Sequence, residues 1–348
     1  MILSEFTYKD ISGWQLEKLS FNLLNLIVGK NAVGKSRTIE AIGNVIRFIK
    51  GELETEVLDF SCSLQLKDGY TLQYSFDVKG GQVISEELKR DDRWMIRRTQ
   101  SQTIMLGDEI NPPMNRLVIQ ARRDTKKYPE IEEIIQWAEQ TFVFVFSNIT
   151  TSPNSLSPYA ISNEPLISSM YEKISEERQN TLIAYMKELG YRIDRVEEYE
   201  RPSGAKWLHI HEIGIERPLT QFDLSNGMFR AFCVLLYMIY SSTLSKARCL
   251  MIDDLGEGLD YMRSTKLGEI MFSYCQENQI QLIVTSNDSF LMDSIDLAHW
   301  NILQREGNHV HGLNSITHTQ LFEKFARTGL SNFDMLSSNF IANNTAQP

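Results

Sequence analysis

Positive charge is the scarcer kind in this 348-residue sequence: 35 Lys and Arg stand against 45 Asp and Glu, a formal net charge of −10. Proteins that grip duplex nucleic acid unaided draw most of that affinity from neutralised phosphates. Nucleic acid stays open as a contact, but tight autonomous binding is not expected. The two local basic clusters read as solvated surface: Lys89, Arg90, Arg93, Arg97 and Arg98, then Arg122, Arg123, Lys126 and Lys127. Cysteine is sparse as well. Cys62, Cys233, Cys249 and Cys275 stand singly in apolar patterns with no C-x-x-C spacing, the usage of reduced, buried thiols in a cytoplasmic protein. Long hydrophobic runs are missing. The most apolar stretch, Phe232–Tyr240, is too short to span a bilayer, and no membrane partner is expected. Met1–Lys9 alternates polar and apolar residues with acids included, unlike a signal peptide. Heptads and internal repeats are lacking, which excludes a long coiled coil. There is no Ser-His-Asp arrangement and no acidic cluster of a fused nuclease. His209 and His211, like His309 and His311, alternate on strand faces without a third ligand nearby and read as surface histidines.

What is present is the composition of a globular chain, 42% hydrophobic and 23% charged, enough for one large or two intimate domains. Leu23–Val28 reads as a buried strand. Gly29–Ser36 follows, and then Ile39, Ile42, Val45, Ile46 and Ile49 recur at helical spacing within Arg37–Lys50. Apolar residues next alternate at 58–66 and 70–78, with Asp68-Gly69 between the runs and Gly80-Gly81 after them. That pattern predicts an antiparallel meander, continued by weaker strands over 82–110. Pro129–Val145 reads as helical, Thr150–Pro158 as a Ser/Pro/Asn-rich break, and Glu164–Leu189 as a polar helix. A small strand pair is expected at Tyr191–Glu198 and Lys206–His211. Met228–Tyr240 suits a central helix, Cys249–Ile252 and Gln281–Thr285 buried strands, and Arg263–Glu277 an amphipathic helix. Alternation of strands and helices predicts an α/β fold whose central sheet is mainly parallel. Phe322–Ile341 is expected to pack on the core and Ala342–Pro348 to be disordered.

The chemistry sits in two places. Gly29-Lys30-Asn31-Ala32-Val33-Gly34-Lys35-Ser36 fits G-x-x-x-x-G-K-[ST] without exception, between a predicted strand and helix. In such a loop backbone N–H groups wrap the α- and β-phosphates of ATP at a helix N-terminus. Lys35 would reach the β/γ-phosphates and Ser36 would ligate Mg2+, with Arg37 next in line. Asp253, at the end of a strand, can hold Mg2+ through its water shell. Asp254 stands where a base or water-positioning carboxylate is needed.

These motifs sit in an order that resembles the ABC/SMC head ATPases. Leu224-Ser225-Asn226-Gly227-Met228 resembles the LSGGQ signature. Leu250-Met251-Ile252-Asp253-Asp254 resembles Walker B, and Gly258-Leu259-Asp260 the D-loop. Val284-Thr285-Ser286-Asn287-Asp288 lies where the switch histidine falls. The match covers 1–50 and 215–305 well and the middle only by architecture. It implies an ABC-type P-loop head with an antiparallel β subdomain and a short helical lid. The divisions expected are an N-terminal lobe 1–150, a lid or arm 151–216, and a C-terminal lobe 217–348. It also implies a homodimer around ATP, with Ser225, Asn226 and Gly227 capping the partner's nucleotide and Asp260 along the seam. Gln120 is the best candidate for the Q-loop glutamine, although a strand-end glutamine facing solvent reads equally well. Two departures, Asp254 for the usual glutamate and Asn287 for the histidine, imply slow hydrolysis.

Within the superfamily, 253–260 and the Gly329–Asp334 run look like the compact OLD-type ATPases of prokaryotic anti-phage defence. The chain leaves no length for their appended nuclease, which implies a separate effector such as a nuclease or toxin. Three alternatives remain: a RecF-like DNA-repair ATPase, the ATPase subunit of a transporter, and a nucleotide-gated scaffold that never hydrolyses ATP.

Overall fold

The computed structural model describes the chain apart from residues 55–58, 147–148, 150–166, 201, 203–205, 221–222, 245–247, 339 and 346–348. Among the described residues, one sheet of fourteen strands forms the frame. In chain order these are β1 (Ile2–Asp10), β2 (Gln15–Ser20), β3 (Leu24–Val28), β4 (Phe60–Lys67), β5 (Thr71–Lys79), β6 (Gln82–Arg90), β7 (Arg93–Arg98), β8 (Thr103–Met105), β9 (Asp108–Ile110) and β10 (Thr141–Val145). Strands β11 (Ile193–Glu200), β12 (Lys206–Glu212) and β13 (Leu219–Thr220) make a separate small sheet. The large one resumes with β14 (Cys249–Asp253), β15 (Gln281–Thr285), β16 (Trp300–Glu306) and β17 (His309–Asn314).

Strand order in the large sheet is β10-β14-β15-β3-β16-β17-β2-β1-β4-β5-β6-β7-β8-β9. The first five run parallel. From β1 onward every pairing is antiparallel. The central sheet is thus mixed, and the expected meander continues it instead of standing apart. Strands of 1–150 and of 217–348 interleave, because β3 lies between β15 and β16.

Alternation along the parallel strands builds a core on each face. Leu26, Val28, Leu250, Ile252, Leu282 and Val284 point to one side. There they meet α4 (Ile167–Lys173), α5 (Glu176–Glu188), α6 (Asn226–Ser241), α7 (Tyr261–Glu277) and α8 (Ser289–Ser294). Ile27, Cys249, Met251 and Ile283 point to the other. That side is covered by α1 (Lys35–Lys50), α2 (Val118–Ala121), α3 (Pro129–Glu139) and the buried face of the meander. The described part of 151–216 shares the first core through Met170, Leu182, Met186, Ile193 and Leu208. All four cysteines are buried and unpaired.

Several expectations need correction. The helix predicted to run through Val145 stops at Glu139, and Thr141–Val145 becomes β10, pairing in parallel with β14. Its β-branched and aromatic residues prefer the pleated, doubly buried edge that β14 offers. The single helix expected over 164–189 is two, α4 and α5, divided at Ile174-Ser175. The break predicted at Thr150–Pro158 lies outside the described residues. At the C-terminus α9 (Thr319–Ala326), α10 (Asp334–Ser337) and α11 (Phe340–Thr345) carry Phe322, Phe325, Met335 and Ile341 into the first core. Helical structure therefore reaches into the stretch read as disordered.

Candidate functional site

The candidate site lies at the C-terminal ends of β3, β15 and β14, which are neighbours in that order. Open parallel sheets bind ligands at that edge, where loops diverge and helices begin. The loop leaving β3 winds through left-handed backbone at Gly29 (φ 155°), Ala32 (φ 65°) and Gly34 (φ 113°). Gly29 is also sterically obligatory, since a Cβ there would lie 2.8 Å from the Leu303 carbonyl oxygen. Turns of this kind aim successive N–H groups into one concavity. The loop delivers the chain into α1 with Gly34 as N-cap, no side chain capping it and no acid in its first turn. The positive end of a 16-residue helix is therefore offered to an anion.

Lys35 is buried. Its Nζ donates to the carbonyl oxygens of Gly29 (2.8 Å) and Lys30 (3.4 Å). Burial lowers its pKa, and the negative charges of Asp254 and Asp253 work in the opposite sense. Lys30 and Asn31 are exposed, and Ala32, Val33 and Arg37 are at least partly open to solvent. Arg37 turns away to the β1–β2 connection, where it donates to Asp10 (2.5 Å) and Ser12 (2.7 Å) and lies 4.8 Å over the Trp14 ring. Trp14 packs under the loop, its ring within 3.3 Å of where a Gly34 Cβ would stand.

Asp253 ends β14 and is buried. The chain then kinks through a left-handed Asp254 (φ 53°), an uncommon conformation for a non-glycine residue. Three bonds to Thr285, the last residue of β15, hold the kink. Thr285 Oγ1 donates to Asp253 Oδ1 (2.6 Å) and accepts from the Asp254 N–H (2.8 Å), and the Leu255 N–H donates to the Thr285 carbonyl (2.8 Å). Asn287 Nδ2 donates to Asp254 Oδ1 at 2.9 Å. Burial, then repulsion from Asp253 and Glu257, raises the Asp254 pKa to about 6, against the pull of Lys35 and the Asn287 bond.

The remaining candidates form a second group. Ser225 caps α6, accepting from the Met228 N–H at 3.3 Å, and Asn226 and Gly227 open its first turn. A Cβ added to Gly227 would stand 3.1 Å from Leu259 Cδ2, so a larger residue there would press on the D-loop. Asp260 caps α7 by accepting from the Arg263 N–H (3.1 Å), and its side chain also pairs with the Arg263 guanidinium. Arg230 ties the two turns together by donating to the Glu257 carbonyl (3.1 Å). Among the described residues, none of Ser225, Asn226 and Gly227 hydrogen-bonds to the loop 29–37.

Gln120 does not join either group. It lies in α2, where its side chain donates to the Phe48 carbonyl (2.5 Å) and accepts from the Leu117 N–H (3.0 Å). That is the far end of α1, a helix about 24 Å long at 1.5 Å per residue. Its amide serves the carbonyls that a helix C-terminus leaves unpaired. The structure also assigns weight to Thr285, which the sequence shows only as a polar residue ending an apolar strand. No signal in the sequence places it beside Asp253, because that follows from the parallel pairing of β14 with β15.

Comparisons with known proteins bear on the fold that carries this site. Residues 142–293 match a family described as "AAA domain, putative AbiEii toxin, Type IV TA system". No curated protein matches the sequence. Among solved structures, an Smc head bound to the C-terminal winged-helix domain of ScpA aligns with a TM-score of 0.57 at 12% identity, covering 92% of this chain and 100% of that one. A Pyrococcus furiosus Smc head with extended coiled coil, bound to the C-terminal domain of ScpA, gives 0.54 at 12% identity, covering 93% and 99%. The chain therefore carries the fold of the ABC/SMC-type P-loop ATPase heads.

Proposed function

We propose that this chain binds ATP with Mg2+, hydrolyses it slowly, and dimerises around the nucleotide as a switch for a separate effector protein. The observation that carries the reading is the meeting of Lys35, Asp253 and Asp254 beside the uncapped N-terminus of α1. A buried cation whose hydrogen bonds, among the described residues, go to the Gly29 and Lys30 carbonyls fits a polyphosphate, as does a nest of left-handed residues. Gly29, Lys30, Asn31, Ala32, Val33, Gly34 and Lys35 would hold the phosphates, and Ser36 and Asp253 the cation. Mg2+, when bound, would neutralise charge on the β- and γ-phosphates. Asp254 would orient the attacking water and accept its proton. Asn287 holds that carboxylate but cannot relay a proton, which supports slow turnover. Arg37, committed to Asp10 and Ser12, would act by shaping the loop.

Ser225, Asn226, Gly227 and Asp260 present an exposed helix start and turn to a second copy, which would complete the site. We read 1–150 and 217–348 as two lobes of one ATPase and 151–216 as its lid. The matched family is described as a toxin of a toxin–antitoxin system, and the similar Smc heads are bound to ScpA; both support a partner protein. Anti-phage defence is the setting we favour, with a nuclease or other toxin as effector.

Light scattering and phosphate release with and without ATP test the reading on wild type and Lys35→Ala. The expected result is ATP-dependent or constitutive dimers with slow release. Lys35→Ala should lower kcat/KM by a factor on the order of 10²–10³. A strict monomer indifferent to ATP would overturn it. Binding without single-turnover release would make the chain a non-hydrolysing scaffold, and strong stimulation by duplex DNA would favour a RecF-like repair role.

A further inference from the structure

Two carboxylates, Asp253 and Asp254, meet at the end of β14, and one hydroxyl bonds to both residues. Thr285 is fully buried. Its Oγ1 donates to Asp253 Oδ1 at 2.6 Å, within the range of a charge-assisted O–H···O⁻ bond, and accepts from the Asp254 N–H at 2.8 Å. A hydroxyl has one proton and two lone pairs, so the directions of both bonds are settled by chemistry: the carboxylate accepts and the amide donates. Asp253 Oδ2 is left without a hydrogen bond among the described residues. Asp254 meanwhile sits in the left-handed region at φ 53°, a conformation that persists only when surrounding bonds hold it. The Asp254 N–H and the Leu255 N–H both end on Thr285. The next residue continues the zipper, with Ser286 Oγ donating to the Leu255 carbonyl at 3.0 Å and accepting from the Asp288 N–H at 3.1 Å.

We propose that Thr285 is a positioning residue for the cation and water sites, a role that rests on the ATPase reading above. By occupying Oδ1 it turns Asp253 so that Oδ2 is the oxygen presented to the cation or its water shell. By anchoring the Asp254 amide it fixes the kink that brings the Asp254 carboxylate to Asn287. Thr285 would act through Asp253 and Asp254, the groups it bonds. Partners that orient a ligating group are worth roughly 10–100-fold in metal affinity or activity, and the same range is expected here.

The test compares wild type, Thr285→Val and Thr285→Ser. The readout is binding of a fluorescent ATP analogue titrated with Mg2+, alongside the same binding in EDTA and single-turnover phosphate release. Thr285→Val keeps the shape and loses both Oγ1 bonds. It should raise the Mg2+ midpoint by about 10–100-fold and slow release, while binding in EDTA stays as in wild type. Thr285→Ser restores the hydroxyl and should recover most of the Mg2+ affinity, a rescue that simple packing would not give. If Thr285→Val does not fold, Thr285→Cys fills the space with a weak donor and should show the same rise. A Thr285→Val protein with the wild-type midpoint, or a serine variant as defective as valine, overturns the proposal alone. Wild type that binds no analogue in a Lys35-dependent way overturns the ATPase reading beneath it.

Discussion

The two halves of the large sheet both bury carboxylates, and they treat them differently. In the parallel half, Asp253 and Asp254 sit where β14 ends, with Lys35 opposite and part of their bonding capacity open to the loop edge. In the antiparallel half, Glu86 lies in the middle of β6 and is closed in completely. It accepts from Tyr74 Oη (2.9 Å), the Val118 N–H (2.6 Å) and the Ile119 N–H (3.3 Å). The fully buried Arg98 stands 3.8 Å away and donates to the Arg116 and Pro113 carbonyls. Burial still raises the Glu86 pKa to about 7, against the pull of those donors and of Arg98. A buried acid surrounded on all sides is a structural tie, here pinning the 113–119 segment to the meander. A buried acid at a strand end keeps valence for something else.

The comparison is broken most forcefully at Glu86. Glu86→Gln sets an amide NH2 against a backbone N–H that the carboxyl group accepts from, and a buried donor left unpaired costs about 1–3 kcal/mol. Urea unfolding should register that loss, while Lys35-dependent nucleotide binding per folded molecule stays as in wild type. If binding fails as it does in Lys35→Ala, the two halves are not independent.

A smaller effect concerns pH. Glu86 and Asp254 both have folded-state pKa values above their ordinary ones of 4.5 and 3.8. Between the ordinary and raised values the folded chain holds protons that the unfolded chain has released, so stability declines with rising pH there. The Glu86 contribution is fully present below about pH 4.5 and gone above about 7. Thermal melts from pH 5 to 8 should show the decline, and Glu86→Gln should shed its larger part. A melt profile with the same slope in both proteins would deny Glu86 this role.

The smallest effect sharpens the other half. In the role proposed for it, Asp254 must be ionised to take a proton, and phosphate release is then expected to fall off on the acid side near pH 6. Asn287→Ala removes a donor that favours the ionised form. Its acid limb should move to higher pH, with Lys35-dependent binding retained. An unchanged limb would mean that another group sets it.

The strands and helices around the site were legible because each carries its own period. Leu24–Val28, the α1 stripe and Gln281–Thr285 emerge nearly as the pattern predicts. Thr141–Val145 was not, since a short, mostly apolar run after a helix fits either state and only the register Val145↔Asp253 resolves it. Gln120 was misplaced for a related reason. Its neighbours Leu117–Ile119 form a short apolar run, and the side chain's real partners, Phe48 and Ile49, lie far earlier in the chain. The Glu86–Arg98–Tyr74 tie left no motif at all, because its members sit on three different strands.

The sequence by itself determined the local chemistry: a phosphate-type loop between strand and helix, and paired aspartates at a strand end. Spacing and side-chain type suffice for these, because each is a short-range arrangement. Only the tertiary structure decided that β3 slots between β15 and β16, that Thr285 faces Asp253, and that Glu86 is sealed while Asp254 stays half open. Those outcomes depend on parallel pairing and burial between distant segments, and no local pattern encodes which strands will be neighbours.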